Sequence, residues 1–441
     1  MKASDRRAAV LWTLLALVLA LAPLVFMFVG RRPTGRAFDR TLSVGLGFVG
    51  IGLMAVHFML TARIANLMLP FGADVVYRIH HYVGYGTLFF WLAHPIILFI
   101  RYDWAIRILN VFTTNWRGRY GVFSVVAMLL LIGLVVVRRR ARMEYVLWRM
   151  SHGALAVLAM LLVMVHAYMV GGYTGTPLKQ ALWMGYGGVC VLLVGYLRIY
   201  KPWRMLRRPY RVVGVKAEHG AVYSLALEPV GRSGITFLPG QFAWLTAGNS
   251  PFSAHEHPFS FSSSSETPQR VEFAVKELGD FSRTIKDLPL GERVYIDGPY
   301  GSCSPDCHFG AEELLLIAGG IGIAPMMSIL RTMADRHDSR PVQLIYGSYS
   351  LDWASFREEL DALAKTLNLR VVHALEHPPQ GWTGETGYVT AEMLRRYLPS
   401  GENRYRVFVC GPLSMLSAVT RALVSLGVPR ALISLERFDL A

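Results

Sequence analysis

Four histidines stand at matched spacing inside apolar sequence. His80 and His94 are 14 residues apart, and so are His152 and His166. At 100° per residue, 14 steps end about 40° short of whole turns, so each pair lies on one helix face with a rise of about 21 Å. From His81 the 13 steps to His94 end about 140° off the face, which selects His80. Ionisable side chains in hydrocarbon are costly and mark function by default. Two facing neutral imidazoles suit bis-histidine ligation of a haem iron. Two such pairs would hold two b-type haems about 20 Å apart. The competing reading is four histidines bonded between helices; the matched register favours haem. No c-type attachment motif is present. His57 and His81 read as core or interfacial residues. Gly84 and Gly86 would either let a macrocycle approach the backbone or let helices pack closely.

A second set of chemically suggestive residues lies in the other half. Gly319, Gly320, Gly322 and Pro325 fall between an apolar run and a helical pattern. Glycines there let a backbone approach a pyrophosphate at a helix N-terminus. The run is GxGxxP rather than the GxGxxG fingerprint, and a structural tight turn is the alternative. Cys410, Gly411 and Pro412 follow the last apolar run, where a buried cysteine is commonly only a small hydrophobe.

The elements that must position these residues differ between the halves. Residues 1–210 hold 24 basic and 5 acidic side chains, whereas 211–441 hold 21 and 25. The whole chain is 53% hydrophobic and 17% charged, against roughly 25% charged for a soluble domain. These figures exclude a single soluble domain, a disordered chain and a nucleic-acid binder with diffuse charge. Four cysteines in 441 residues exclude a disulfide scaffold. Apolar runs at 8–30, 41–60, 82–100, 120–137, 153–170 and 181–197 are each near the roughly 20 residues that span a bilayer. The first runs on past a signal-peptide core and reads as an uncleaved helix. Basic clusters at 138–142 and 198–211 flank the last two spans, and the positive-inside rule makes both termini cytoplasmic in a plasma (inner) membrane. Phe89, Phe90 and Trp91 would lie between the haems or face lipid.

After Arg211 short β-type runs appear at 211–216, 222–228, 242–247, 270–276 and 293–297, as in a small antiparallel barrel. From Leu314 strands and helices alternate, as in a parallel α/β domain. The expected fold is therefore multi-domain. An all-α six-helix membrane domain (1–205) precedes an antiparallel β-barrel (206–308) and an α/β domain (309–441).

The order of motifs adds a resemblance. Pro239-Gly240-Gln241-Phe242, His257-Pro258-Phe259-Ser260, Gly279-Asp280-Phe281-Ser282, Gly298-Pro299-Tyr300-Gly301, the glycine run at 319–325 and Cys410-Gly411-Pro412 occur in succession. Together this series resembles the ferredoxin–NADP reductase type of FAD/NAD(P)H module. Behind paired membrane histidines, it is similar to the ferric reductase/NADPH oxidase superfamily, in the form of a compact bacterial flavocytochrome b. The resemblance implies that His257, Pro258, Phe259 and Ser260 hold FAD, with the serine near its reactive edge. Gly279, Asp280, Phe281 and Ser282 would support its phosphates. Gly319, Gly320, Gly322 and Pro325 would line NADPH or NADH. Cys410 would act beside the nicotinamide with Gly411 and Pro412, and Phe438 would be the aromatic that stacks on the isoalloxazine, although three residues follow it. His80, His94, His152 and His166 match the family's four haem ligands. Cys303, Cys307 and His308 cannot supply the four thiolates of an iron–sulfur cluster and read as a polar surface loop.

These readings imply electron flow from cytoplasmic NAD(P)H through FAD and two b-type haems to an outer acceptor. That acceptor is O2 giving superoxide, a ferric chelate, or a periplasmic redox protein. The lipid bilayer is the expected environment, and nucleic acid is not an expected partner.

Overall fold

The computed structural model describes residues 3–30, 35–64, 71–138, 140–248, 250–308, 310–399 and 404–437. It divides into two compact units, one built mainly from 7–64 and 75–200 and the other mainly from 201–441.

The first unit holds the long helices α1 (Ala3–Phe28), α2 (Phe38–Thr61), α3 (Ala73–Arg101), α4 (Trp116–Val137), α5 (Tyr145–Met169) and α6 (Pro177–Gly195). Six stretches are long and apolar enough to cross a membrane, so this is a multi-pass membrane protein. Local sequence sets their ends. The Asn115 side chain accepts from Gly118 N–H at 3.0 Å to start α4. Thr176 caps α6, with Pro177 at its first turn where no N–H is needed. Outer faces carry exposed apolar side chains, such as Leu14, Phe89, Leu130 and Leu161, as lipid contact requires. The Phe89 ring faces outward, whereas Trp91 is buried.

The second unit opens with six antiparallel strands: β1 (Tyr210–Glu218), β2 (Val222–Pro229), β3 (Phe242–Ala247), β4 (His257–Ser260), β5 (Val271–Lys276) and β6 (Arg293–Tyr300). Their order is β4-β3-β6-β1-β2-β5, and a bridge from Phe261 to Phe273 joins the two edges. Alternate residues such as Leu225 and Leu227, or Val271, Phe273 and Val275, point inward as period 2 dictates.

A parallel sheet follows, built from β7 (Glu313–Gly319), β8 (Val342–Ser348), β9 (Leu369–Leu375), β10 (Glu385–Thr386), β11 (Tyr405–Gly411) and β12 (Ile433–Arg437). Its order is β10-β9-β8-β7-β11-β12. Helices α7 (Ile323–Asp335), α8 (Arg357–Thr366), α9 (Ala391–Tyr397) and α10 (Leu413–Ser425) complete it. Residue parity splits the core: Leu314, Leu316 and Ala318 face one side, and Leu315 and Ile317 the other. A sheet buried on both faces explains the continuous apolar run. Arg331 of α7 ties it to the barrel, donating to Glu359 at 2.6 Å, Glu272 at 3.0 Å and the Ser262 carbonyl at 2.8 Å. The sequence reading missed β4, β10, α9 and β12, all short or lacking strong periodicity.

Candidate functional site

Within the membrane unit, α3 and α5 bring the histidines together in the pairs that spacing demands. The rings of His80 and His152 have centroids 6.4 Å apart, and those of His94 and His166 are 6.3 Å apart. A metal–imidazole bond of about 2.0 Å on each side, plus about 1.1 Å from nitrogen to ring centre, separates two centroids by about 6.2 Å. Both pairs therefore fit one iron between them. The outer ring nitrogens are tied back. His94 Nδ1 lies 3.0 Å from the Ser43 carbonyl, and His166 Nδ1 lies 2.8 Å from the Arg117 carbonyl. A carbonyl only accepts, so each Nδ1 is the N–H and each Nε2 keeps its lone pair. Ligating histidines use this arrangement to fix their tautomer. His80 Nδ1 meets His57 Nδ1 at 2.9 Å. His152 Nδ1 is buried with no hydrogen-bond partner among the described residues.

Small residues make room for these rings. A Cβ at Gly47 would lie 3.2 Å from His94 Cγ, and one at Gly121 would lie 3.0 Å from His166 Nδ1. Cβ atoms at Gly84 and Gly86 would meet His57 Cε1 at 3.8 Å and Leu53 Cδ1 at 3.5 Å on α2, ordinary contact distances. His57 is more than an interfacial residue, because it bonds a candidate ligand. Its signal was legible: Ser43 and His57, which back His94 and His80, are themselves 14 residues apart on α2. His81, by contrast, is exposed and bonds Tyr85 OH at 3.1 Å.

In the second unit, sheet order changes direction at β7, between β8 and β11. Crevices at the C-terminal ends of strands flanking such a switch point are where open α/β sheets bind ligands. Gly319–Gly322 end β7 and Cys410–Pro412 end β11, so the two motifs flank that crevice. They touch through glycines. A Cβ at Gly322 would lie 2.1 Å from the Cys410 carbonyl oxygen, and one at Gly411 would lie 3.2 Å from Gly319 Cα. Gly320 has a left-handed φ of +53°, and Lys276 Nζ lies 4.0 Å from where its Cβ would be. That lysine was not singled out from sequence. Pro325 is buried in the first turn of α7.

On the barrel, His257, Pro258, Phe259 and Ser260 form β4 against β3. The His257 ring stacks on Phe281 at 4.3 Å and 18°, and Phe259 lies 6.0 Å from the same ring. The two flavin-type motifs thus meet through Phe281. Ser260 is 2% exposed, and its Oγ has no hydrogen-bond partner among the described residues. A buried hydroxyl without a partner is costly, and a flavin heteroatom would satisfy it. Gly279 and Asp280 are exposed at the turn. Ser282 Oγ holds that turn by accepting from Leu278 and Gly279 N–H, each at 2.9 Å.

Cys410 is fully buried, and Glu436 of β12 is its register partner. Glu436 is the main residue missed in this unit. Burial pushes its carboxyl well above the usual carboxylate range, and pushes the thiols of Cys410 and Cys303 well up too. Cys303 is 2% exposed and belongs to the sheet core. The surface-loop reading therefore fails for Cys303, although Cys307 is partly exposed. Phe438 lies outside the described residues. Because thiolate and access control alkylation, iodoacetamide at neutral pH is expected to label Cys307 and to spare Cys303 and Cys410, as read by peptide mass spectrometry. Rapid labelling of Cys410 would contradict its burial.

Glu436 also predicts a pH effect. Its raised folded value means that its contribution to stability is fully present below about pH 4.5, its ordinary value, and is lost as pH rises through the folded value. Glu436→Gln copies the protonated acid. It is expected to flatten the pH dependence of thermal unfolding and to raise the midpoint at pH 8. An unchanged pH profile would refute this.

A multi-pass helical domain with stacked imidazole pairs, joined to a barrel and an α/β nucleotide fold, has the make-up of an electron-transport oxidoreductase. Residues 46–163 match the family "Ferric reductase like transmembrane component", and residues 316–421 match "Oxidoreductase NAD-binding domain". The chain has the architecture of the ferric reductase/NADPH oxidase superfamily. It is 36% identical over 159 residues to NADH-cytochrome b5 reductase 1 of Candida glabrata, covering 35% of this chain and 55% of that protein. The same enzyme of Pyricularia oryzae is 33% identical over 179 residues, covering 38% and 56%. The chain thus spans about half the length of the curated relatives it matches. Among solved structures it is similar to the ferredoxin reductase in carbazole 1,9a-dioxygenase, at 27% identity and TM-score 0.45 over 52% of this chain and 69% of that one.

Proposed function

We propose that this protein carries electrons from NAD(P)H across a membrane to O2 on the far side, releasing superoxide. The observation that carries this reading is the pair of imidazole couples at 6.4 and 6.3 Å, one above the other on α3 and α5. When bound, a flavin exchanges two electrons with nicotinamide and one with iron, and each haem exchanges one. The protein's part is to hold and insulate these groups. His80 with His152, and His94 with His166, would hold the two haem irons. His257, Pro258, Phe259 and Ser260 would hold FAD, with Gly279, Asp280, Phe281 and Ser282 at its phosphates. Gly319, Gly320, Gly322 and Pro325 would line the dinucleotide, with Lys276 as the nearby cation. Cys410, Gly411, Pro412 and Phe438 would face the nicotinamide and flavin. The working division of the chain is 1–205, 206–308 and 309–441.

Alternation of the six spans puts the end of α6 on the face where α3 and α5 begin, which is the face nearer His80 and His152. The basic clusters at 138–142 and 198–211 flank that face too and support a cytoplasmic assignment for it, in a plasma (inner) membrane. One NAD(P)H reduces two O2 to two superoxide, releasing NAD(P)+ and one proton.

A second reading, reduction of a ferric chelate, is favoured by the family matched at 46–163. Purified protein with FAD, haem and NADPH is expected to reduce cytochrome c in a superoxide-dismutase-sensitive way. Turnover only with Fe(III) chelate supports the second reading, and turnover only with an added periplasmic protein would make the chain that protein's donor. The relatives named for NADH set NADH against the family-based expectation of NADPH. Comparing kcat/KM for the two decides between them.

A further inference from the structure

Helix α2 stands behind both candidate ligands of α3, but with different groups. Ser43 backs His94 with neutral oxygens: its carbonyl and its Oγ each lie 3.0 Å from His94 Nδ1 and accept from it, while the Oγ donates to the His94 carbonyl at 2.8 Å. Fourteen residues on, His57 backs His80 with an imidazole nitrogen. The two contacts pair 43 with 94 and 57 with 80, which is one antiparallel register.

The protons in this cluster follow from a single acceptor. Thr87 is buried, and its Oγ1 donates to the Val83 carbonyl at 2.9 Å. Its hydroxyl proton is thereby committed, so it accepts from His57 Nε2–H at 3.1 Å. With hydrogen on Nε2, neutral His57 has only a lone pair at Nδ1. The contact of 2.9 Å must then be His80 Nδ1–H donating to His57 Nδ1. His80 Nε2 is left with a free lone pair, directed away from α2. Val83 and Thr87 lie on α3 itself, one turn apart, so the element that carries the ligand also fixes the tautomer of the residue behind it.

We propose that His57 is a positioning residue for the His80 ligand, acting through the series Val83 carbonyl, Thr87, His57, His80, and that it lowers the reduction potential of the haem held by His80 and His152. An sp² ring nitrogen is a more basic acceptor than the amide carbonyls behind His94 and His166. A ligand whose N–H is drawn toward a stronger base is a stronger donor and favours ferric iron, and hydrogen bonding beyond the ligands is an established lever on haem potential. Among the described residues His152 Nδ1 has no such partner, so in this pair the effect falls on His80. A lower potential at the His80–His152 level than at the His94–His166 level would drive electrons from the first to the second. The inference rests on the haem reading given above.

The test is a spectroelectrochemical titration of the full chain loaded with haem, comparing wild type with His57→Leu and His57→Gln. Wild type is expected to bind two haems with distinct midpoints. In His57→Leu one midpoint is expected to rise, with a change of about tenfold in reduced-to-oxidised ratio at fixed potential, which is 59 mV for one electron. The other midpoint should stay in place. Glutamine offers an acceptor oxygen and should return most of the shift. Loss of one haem in His57→Leu that His57→Gln prevents would equally support the assignment. Unchanged midpoints in His57→Leu, or a shift or haem loss that glutamine shares in full, would overturn it while leaving the haem reading intact. Failure of wild type to bind haem would remove both.

Discussion

Replacing His94 or His166 with alanine is expected to lower haem content from two per chain to one and to stop transfer to the far-side acceptor. NAD(P)H-driven reduction of a soluble dye by the flavin module should persist. The rings of this pair are 6.3 Å apart, and each Nδ1 is held by a carbonyl. Among the described residues no cluster of three or more His, Cys, Asp or Glu offers an alternative metal site. Partner groups behind metal ligands typically matter 10–100-fold, so loss of a ligand itself should cost more than about 100-fold in far-side activity. Pyridine haemochrome counts and the two rates measured side by side check this. Two haems retained in both variants would show the ligand assignment to be wrong.

Gly322→Ala is expected to have the second large effect, this time weakening dye reduction as well. The added Cβ would lie 2.1 Å from the Cys410 carbonyl oxygen and 2.5 Å from its carbon. Both are backbone atoms of β11, which is paired on both sides by β7 and β12. They cannot swing aside, so the two loops must separate at the crevice where dinucleotide would bind. Overpacking of this kind costs on the order of 1–3 kcal/mol, and a displaced loop should raise KM for NAD(P)H more than about tenfold. Gly319→Ala is the control. Its Cβ would meet Met415 Sδ at 2.3 Å, the end of a flexible side chain that can move. A milder effect is expected there. Thermal unfolding and steady-state dye reduction on both variants test the contrast, and wild-type KM in Gly322→Ala would refute it.

Long-period patterns were legible in the sequence because they depend on helix and strand geometry alone. Six spans, the 14-residue histidine spacing and the switch from antiparallel to alternating α/β pattern need no knowledge of neighbours. Short elements were harder. Strand β4 reads as a motif rather than a strand, and β12 looks like a tail until it pairs with β11.

What the sequence by itself determined is which residues share a face. The 3.6-residue period puts His80 with His94 and His152 with His166, and the 2.0-residue period assigns the strand interiors. What only the tertiary structure decided is what stands behind each of those residues. His57 and Ser43 come within bonding distance of α3 only because α2 runs antiparallel in one register. Cys303 and Glu436 are buried beside Cys410 only because distant strands close over them. Periodicity is a property of one chain segment, whereas a hydrogen-bond partner or a low-dielectric environment depends on how separate segments pack.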